Sequence, residues 1–158
     1  MKVNLFDEEE IELSIELNNK GIFWIPKSGD WFADLSNVKV NYNGEYEQSI
    51  SLCLILDQDG RSFAYYELLI DGEENGNRMK KSLSLSNDEK LEKIYFLPSI
   101  KDCINLIDTG TDYEFEKLEK KDNETFIVSV RQSLSGKIFT HEGNSELKAF
   151  YSLLLNLY

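Results

Sequence analysis

Two short stretches of this chain echo one another, and the echo limits the folds open to it. Phe23-Trp24-Ile25-Pro26 is followed by Asp30, Trp31, Phe32 and Leu35. Tyr95-Phe96-Leu97-Pro98 is followed by Asp102, Cys103, Ile104 and Ile107. Pro26 and Pro98 are the only prolines, and they stand at equivalent places. At the same spacing Leu13 meets Leu85, Ser14 meets Ser86 and Ile22 meets Ile94. Further along, Gly60 meets Gly136 and Phe63 meets Phe139 at a slightly longer offset, as an inserted surface loop gives. The pattern raises an internal duplication, about 11–70 and 83–158, within a single compact domain spanning 1–158. Each copy would be a β-β-α-β-β-β unit. The competing reading is chance alignment of two β-rich halves.

Local patterns fill in the rest. Ile11, Leu13, Ile15 and Leu17 alternate with polar residues, which predicts a half-buried strand. A short strand over 22–25 is expected to end at Pro26. Ser28 is then expected to cap a helix carrying Trp31, Phe32 and Leu35 inward. Val38, Val40 and Tyr42 alternate again and lead into the turn Asn43-Gly44. Ile50 to Leu56 and Ser62 to Ile70 read as a β-hairpin across Asp57-Gln58-Asp59-Gly60. The polar loop 71–77 separates the halves and is the segment expected to be most mobile. After Pro98, Ser99 and Asp102 form a capping signature for a helix that Gly110 ends. Tyr113 to Leu118 reads as an amphipathic outer strand, and 126–130 with 137–140 as a second hairpin. Leu147, Phe150, Tyr151, Leu154 and Leu157 recur at three and four, giving a C-terminal amphipathic helix capped by Asn144 or Ser145. The fold class expected is α+β: mostly antiparallel sheet or sheets with helices on one side.

Charge narrows the partners. Asp and Glu number 29 against 17 Lys and Arg, a net charge of −12. Free nucleic acid and anionic membrane surfaces both require clustered basic residues, so neither is expected as a partner. No apolar run approaches the roughly 20 residues of a membrane span. The opening residues, Met1 to Glu8, lack the apolar core of a signal peptide, so a cytoplasmic location is expected. The cysteines, Cys53 and Cys103, then read as buried free thiols.

No catalytic or cofactor signature stands out, and neither a cofactor nor a metal is expected. Asp57-x-Asp59-Gly60 lacks the remaining acids of a calcium loop and reads as a turn. His141 is the only histidine, and together with two distant cysteines it provides too few ligands for zinc. The aromatic residues around Trp24 and Trp31 read mainly as core.

Two functional readings follow. The first is a non-enzymatic, acidic binding protein acting by protein–protein contact on a basic partner. A bacterial toxin-immunity protein and a phage inhibitor of host defence both have this profile. Its contact residues are expected among Glu8, Glu9, Glu10, Glu12 and Glu16, and among Asp112, Glu114 and Glu116, since such faces speed association by electrostatic steering. The second is a small-molecule binder or enzyme with a pocket between the two copies, walled by Trp24, Trp31 and Tyr66, with His141 as a polar contact. A third possibility is a homodimer formed through an exposed strand edge.

Overall fold

The computed structural model describes residues 6–58, 62–69, 79–84, 86 and 91–158. It is an α+β protein with two antiparallel sheets and a C-terminal helix. The elements are α1 (Glu8–Asn19), β1 (Trp31–Val40), β2 (Tyr46–Gln58), β3 (Ser62–Leu69), β4 (Met79–Ser84), β5 (Ile94–Leu97), α2 (Ile100–Gly110), β6 (Tyr113–Lys120), β7 (Phe126–Gln132), β8 (Ile138–Gly143) and α3 (Glu146–Leu157). They fall into two compact units. One holds 24–97 and the five-stranded sheet, in the order β4-β3-β2-β1-β5. The other holds 6–23 and 98–158, with three helices and the sheet β6-β7-β8.

In the five-stranded unit, strand register sorts the side chains by face. Phe32 lies opposite Cys53 and Phe96, Ile55 opposite Tyr65, and Phe63 opposite Leu83. These residues form one buried apolar face. Phe32 meets the rings of Phe63 and Tyr65 edge-on, at 5.8 and 5.1 Å. Each such fully buried side chain contributes about 1.5–3 kcal/mol of transfer free energy, and the edge-on ring geometry adds to it.

Residues 24–30 are neither the expected strand nor the start of a helix. The Asp30 carboxylate accepts from Trp24 Nε1 at 2.9 Å and from the Lys27 N–H at 3.1 Å, and it pairs with the Lys27 ammonium. Gly29, with φ of 91°, donates to the Ile55 carbonyl, and Ile55 N–H donates to the Asp30 carbonyl. The chain is thereby already paired with β2 when it reaches Trp31, and it continues as a strand. After Pro98 the outcome differs. Asp102 again accepts the N–H three residues back, from Ser99 at 3.0 Å. Here, though, the Ser99 hydroxyl reciprocates by accepting Asp102 N–H at 3.1 Å, which completes a capping box and starts α2. Lys27 stands where Ser99 would be needed, and a lysine cannot supply that acceptor.

The order β4, β5, α2, β6, β7, β8 matches the expected unit, but the first half runs α1, β1, β2, β3. The doubled unit is therefore not seen in the element order. The loop 71–77 and the Asp59-Gly60 turn lie outside the described residues.

α1 also corrects the strand expected over 11–17. Glu10, Ile11, Ser14 and Leu17 are its buried residues, a helical spacing. Ser14, polar yet fully buried, satisfies its hydroxyl on the Ile11 carbonyl at 2.7 Å. Leu13 and Ile15 are only half-buried flanks, so the period-two pattern does not correspond to the buried face.

The second unit is built around α3. Ala149, Phe150, Tyr151, Leu153 and Leu154 are all buried, and α3 packs on β7, β8, α1 and α2. Ser145 caps it, accepting Lys148 N–H at 3.1 Å. The Tyr151 hydroxyl donates to the Pro98 carbonyl at 2.5 Å, satisfying a phenol whose pKa burial pushes well up. Close approach of helix and strand depends on Gly143. A Cβ there would stand 2.4 Å from Ala149 N and 2.9 Å from Ala149 Cα. Gly143→Ala is accordingly expected to lower unfolding stability by about 1–3 kcal/mol, since neither backbone can yield. Chemical denaturation checks this, and a change below about 0.5 kcal/mol would show that the helix can lift off β8 freely.

Candidate functional site

The acidic residues of α1 divide into two groups with different work. Asp7 caps the helix. Its carboxylate accepts Glu10 N–H at 2.8 Å while Glu10 accepts Asp7 N–H at 3.0 Å. Acidic side chains in this first turn also suit the helix dipole. Glu10, expected to face a partner, is only 7 % exposed, and its other carboxylate oxygen accepts the Ser145 hydroxyl at 3.3 Å. It is a capping residue and not a surface one; the reason is that position N3 points back along the helix to the cap. Burial pushes the Glu10 carboxyl above the usual range.

Lys148 engages two more of these acids. Its stem is buried against α3's neighbours, while its ammonium reaches Asp7 at 2.7 Å and Glu9 at 3.1 Å. Burial works to raise the Asp7 carboxyl. The Lys148 contact and the backbone N–H groups of Glu10 and Glu9 outweigh it, so Asp7 sits below the usual aspartate range. The hydrogen bond to Asp7 holds Lys148 above its ordinary value.

Glu8, Glu12 and Glu16 remain, four residues apart on one exposed face of α1. None of the ion pairs among the described residues involves them. On β6, Asp112 and Glu114 are exposed, whereas Glu116 is paired with Arg131 at 2.6 Å. Asp112 also lines an open depression of about 410 Å³ at the carboxyl end of α2, with Thr109, Gly110, Thr111, Tyr113 and Leu157. A helix carboxyl end next to an aspartate favours a cation.

The four residues expected to line a pocket are not gathered in one place. Trp31 and Tyr66 do share a row of the five-stranded sheet, each in register with Leu54. Trp24 lies on the opposite face, stacked on Phe96 at 4.9 Å. Strand alternation explains the separation, since Trp31 and Phe32 must point to opposite sides. His141 belongs to the other unit, half-buried in β8 opposite Val128.

Two features escaped the reading of the sequence. The first is a buried polar row among the aromatic residues of the five-stranded sheet. Ser51 donates to Glu67 at 2.9 Å, the Lys81 ammonium contacts the other Glu67 oxygen, and Asp34 accepts from Ser36 N–H at 2.8 Å. Burial, helped by Cys53, Asp34 and Glu67, pushes the nearby Tyr65 phenol far up. Asp34 falls two residues after Phe32, and Glu67 two after Tyr65, so inward-facing periodicity could have flagged both. The second is the far end of the β1–β2 hairpin. β5 pairs β1 only through Asp34, and β3 pairs β2 only from Ser51 onward. Residues 37–50 thus extend as a two-stranded ribbon among the described residues. On it Val38 is 61 %, Val40 60 % and Tyr46 81 % exposed. Tyr42 lies at the turn, fully exposed.

Among the described residues no cluster of His, Cys, Asp and Glu has the arrangement of a metal site, and no helix is long and apolar enough to cross a membrane. Cys53 and Cys103 are buried free thiols. Comparison with models of protein families, with curated proteins and with solved structures finds no match.

The Lys148 contacts predict a pH-dependent stability. Because the Asp7 carboxyl is held down in the folded protein, its contribution is present above the ordinary aspartate value and is lost as pH falls through the lowered one. Lys148 is held up, so its contribution is present at neutral pH and is lost only as pH rises past the ordinary lysine value. Lys148→Met is therefore expected to cost about 1 kcal/mol at pH 7, the carboxylates being half-exposed. The wild-type and variant stabilities should converge below about pH 3, where the acids are protonated. Urea denaturation across pH checks this; a difference unchanged between pH 7 and pH 2 would rule the ion pairs out.

Proposed function

We propose that this protein binds a basic protein partner and acts by contact, without catalysis. The observation that carries this reading is the outward stripe Glu8, Glu12 and Glu16. Like charges four apart destabilise a helix by about 0.2–0.5 kcal/mol per pair. The protein neutralises Asp7 and Glu9 with Lys148 next to this stripe, yet leaves the stripe itself open. Asp112 and Glu114 on β6 add exposed acid of the same kind. An acidic exterior of this sort steers association with positively charged partners. An immunity protein against a bacterial toxin, or a phage-encoded inhibitor of a host nuclease, is the kind of molecule that the profile suits. A cytoplasmic site of action goes with that reading.

The test uses the wild type and the triple variant Glu8→Gln, Glu12→Gln, Glu16→Gln as baits, followed by purification of the captured partner and stopped-flow association at low and high salt. The expected result is a wild-type association rate that falls steeply with salt, and a triple variant roughly tenfold slower at low salt but equal at high salt. A salt-insensitive wild-type rate, or a triple variant indistinguishable from it, would overturn the assignment of the stripe.

A further inference from the structure

The β1–β2 ribbon carries a more specific reading. Asn41 N–H donates to the Glu45 carbonyl at 2.9 Å, which makes Asn41 and Glu45 a hydrogen-bonded pair. Antiparallel pairs alternate between bonded and non-bonded. Val40 with Tyr46, and Val38 with Gln48, are therefore non-bonded pairs. The N–H and C=O groups of Val38 and Val40 consequently point away from β2, along the outer edge of β1. β5 does not extend to this stretch, since its pairing with β1 ends at Asp34. A bulge between Asp34 and Asn37 marks the point beyond which β1 pairs only with β2 among the described residues.

The two faces of the ribbon differ in chemistry. Val38, Val40 and Tyr46 lie on one face, all more than half exposed. Glu47 lies on the other, accepting from the Asn41 side-chain amide at 2.9 Å, with Glu45 exposed beside the turn. An exposed strand edge whose outward residues are valines is a template for another strand. An extended segment alternating apolar and basic residues would match this edge. Its apolar side chains would continue the Val38, Val40 and Tyr46 face, and its Lys or Arg side chains would lie on the side of Glu47. A second copy of the same chain is a poorer occupant, because each copy carries a net charge of −12.

We infer that the outer edge of β1 at Val38–Val40 is a strand-docking site for an extended, basic segment of a partner protein. This rests on the protein-binding reading given above but uses different residues, so the two can fail separately. Docking adds main-chain hydrogen bonds from Val38 and Val40 to the partner strand and covers the valines and Tyr46. The electrostatic match supplies the choice of partner.

The test uses two synthetic peptides of equal length, one alternating valine and lysine, the other valine and glutamate. Binding is followed by amide chemical shifts of the full chain and by titration calorimetry. The Val/Lys peptide is expected to bind, with the shift changes centred on residues 36–48, and the Val/Glu peptide to bind at least about tenfold more weakly. Val40→Pro removes an N–H that faces outward, so it blocks docking without removing a β1–β2 bond. It should lose peptide binding by tenfold or more, while Val40→Thr retains it; unchanged shifts at Ser51–Ile55 confirm that the sheet is intact in both. The stripe variant Glu8→Gln, Glu12→Gln, Glu16→Gln should bind the peptide as the wild type does. Absence of peptide binding, equal binding by Val40→Pro, or equal binding of both peptides would overturn the inference. So would a dimer seen by sedimentation equilibrium that Val40→Pro dissolves, which would assign the edge to a second copy.

Discussion

Packing of α3 onto β7 and β8 is the constraint from which the helical unit follows. Gly143 lets the helix come within backbone contact of β8, and Phe150, Leu153 and Leu154 fill the space beneath it. At that depth Lys148 has a buried stem, so its ammonium can emerge only beside the start of α1. Two helices now point their N-termini toward one cation, an arrangement that is unfavourable unless acids offset it. Asp7 and Glu9 provide that offset, and the capping box with Glu10 fixes α1 against α3. The acids of α1 thus have structural work in its first turn and none along its outer face.

That division is what gives the acidic composition functional meaning. A net charge of −12 could arise from carboxylates scattered for solubility. Here the local pattern is selective, because cations sit where acids hold the fold and are missing from the stripe Glu8, Glu12 and Glu16 among the described residues. The ribbon of the other unit adds a second kind of recognition, by backbone and apolar contact. A surface that steers and an edge that grips are complementary means of binding a protein.

Much of the architecture was legible from local patterning. The C-terminal helix, the helix after Ser99, the β2–β3 pairing and the β6-β7-β8 sheet all follow from period and capping. The failures are equally instructive. α1 reads as a strand because Ser14 occupies a fully buried position and meets its own hydrogen-bonding need on the Ile11 carbonyl, which periodicity cannot anticipate. The stretch after Pro26 reads as a helix by likeness to the stretch after Pro98. One residue decides between them, the hydroxyl of Ser99 against the amine of Lys27. At the candidate site, the charge of α1 was visible in the sequence, but its division was not. That depends on Lys148, more than a hundred residues away. The ribbon was invisible for a similar reason: Val38, Val40 and Tyr46 look like core until the ends of β3 and β5 are known.

The division of the acids is open to direct measurement. Carbon-detected NMR titration of the side-chain carboxyls resolves each residue of α1 separately. The account predicts that Asp7 titrates below the usual aspartate range and Glu10 above the usual glutamate range, and that Lys148→Met raises the Asp7 value. An Asp7 carboxyl titrating at its ordinary value, unmoved by Lys148→Met, would contradict the claim that the first turn of α1 is held by internal charge.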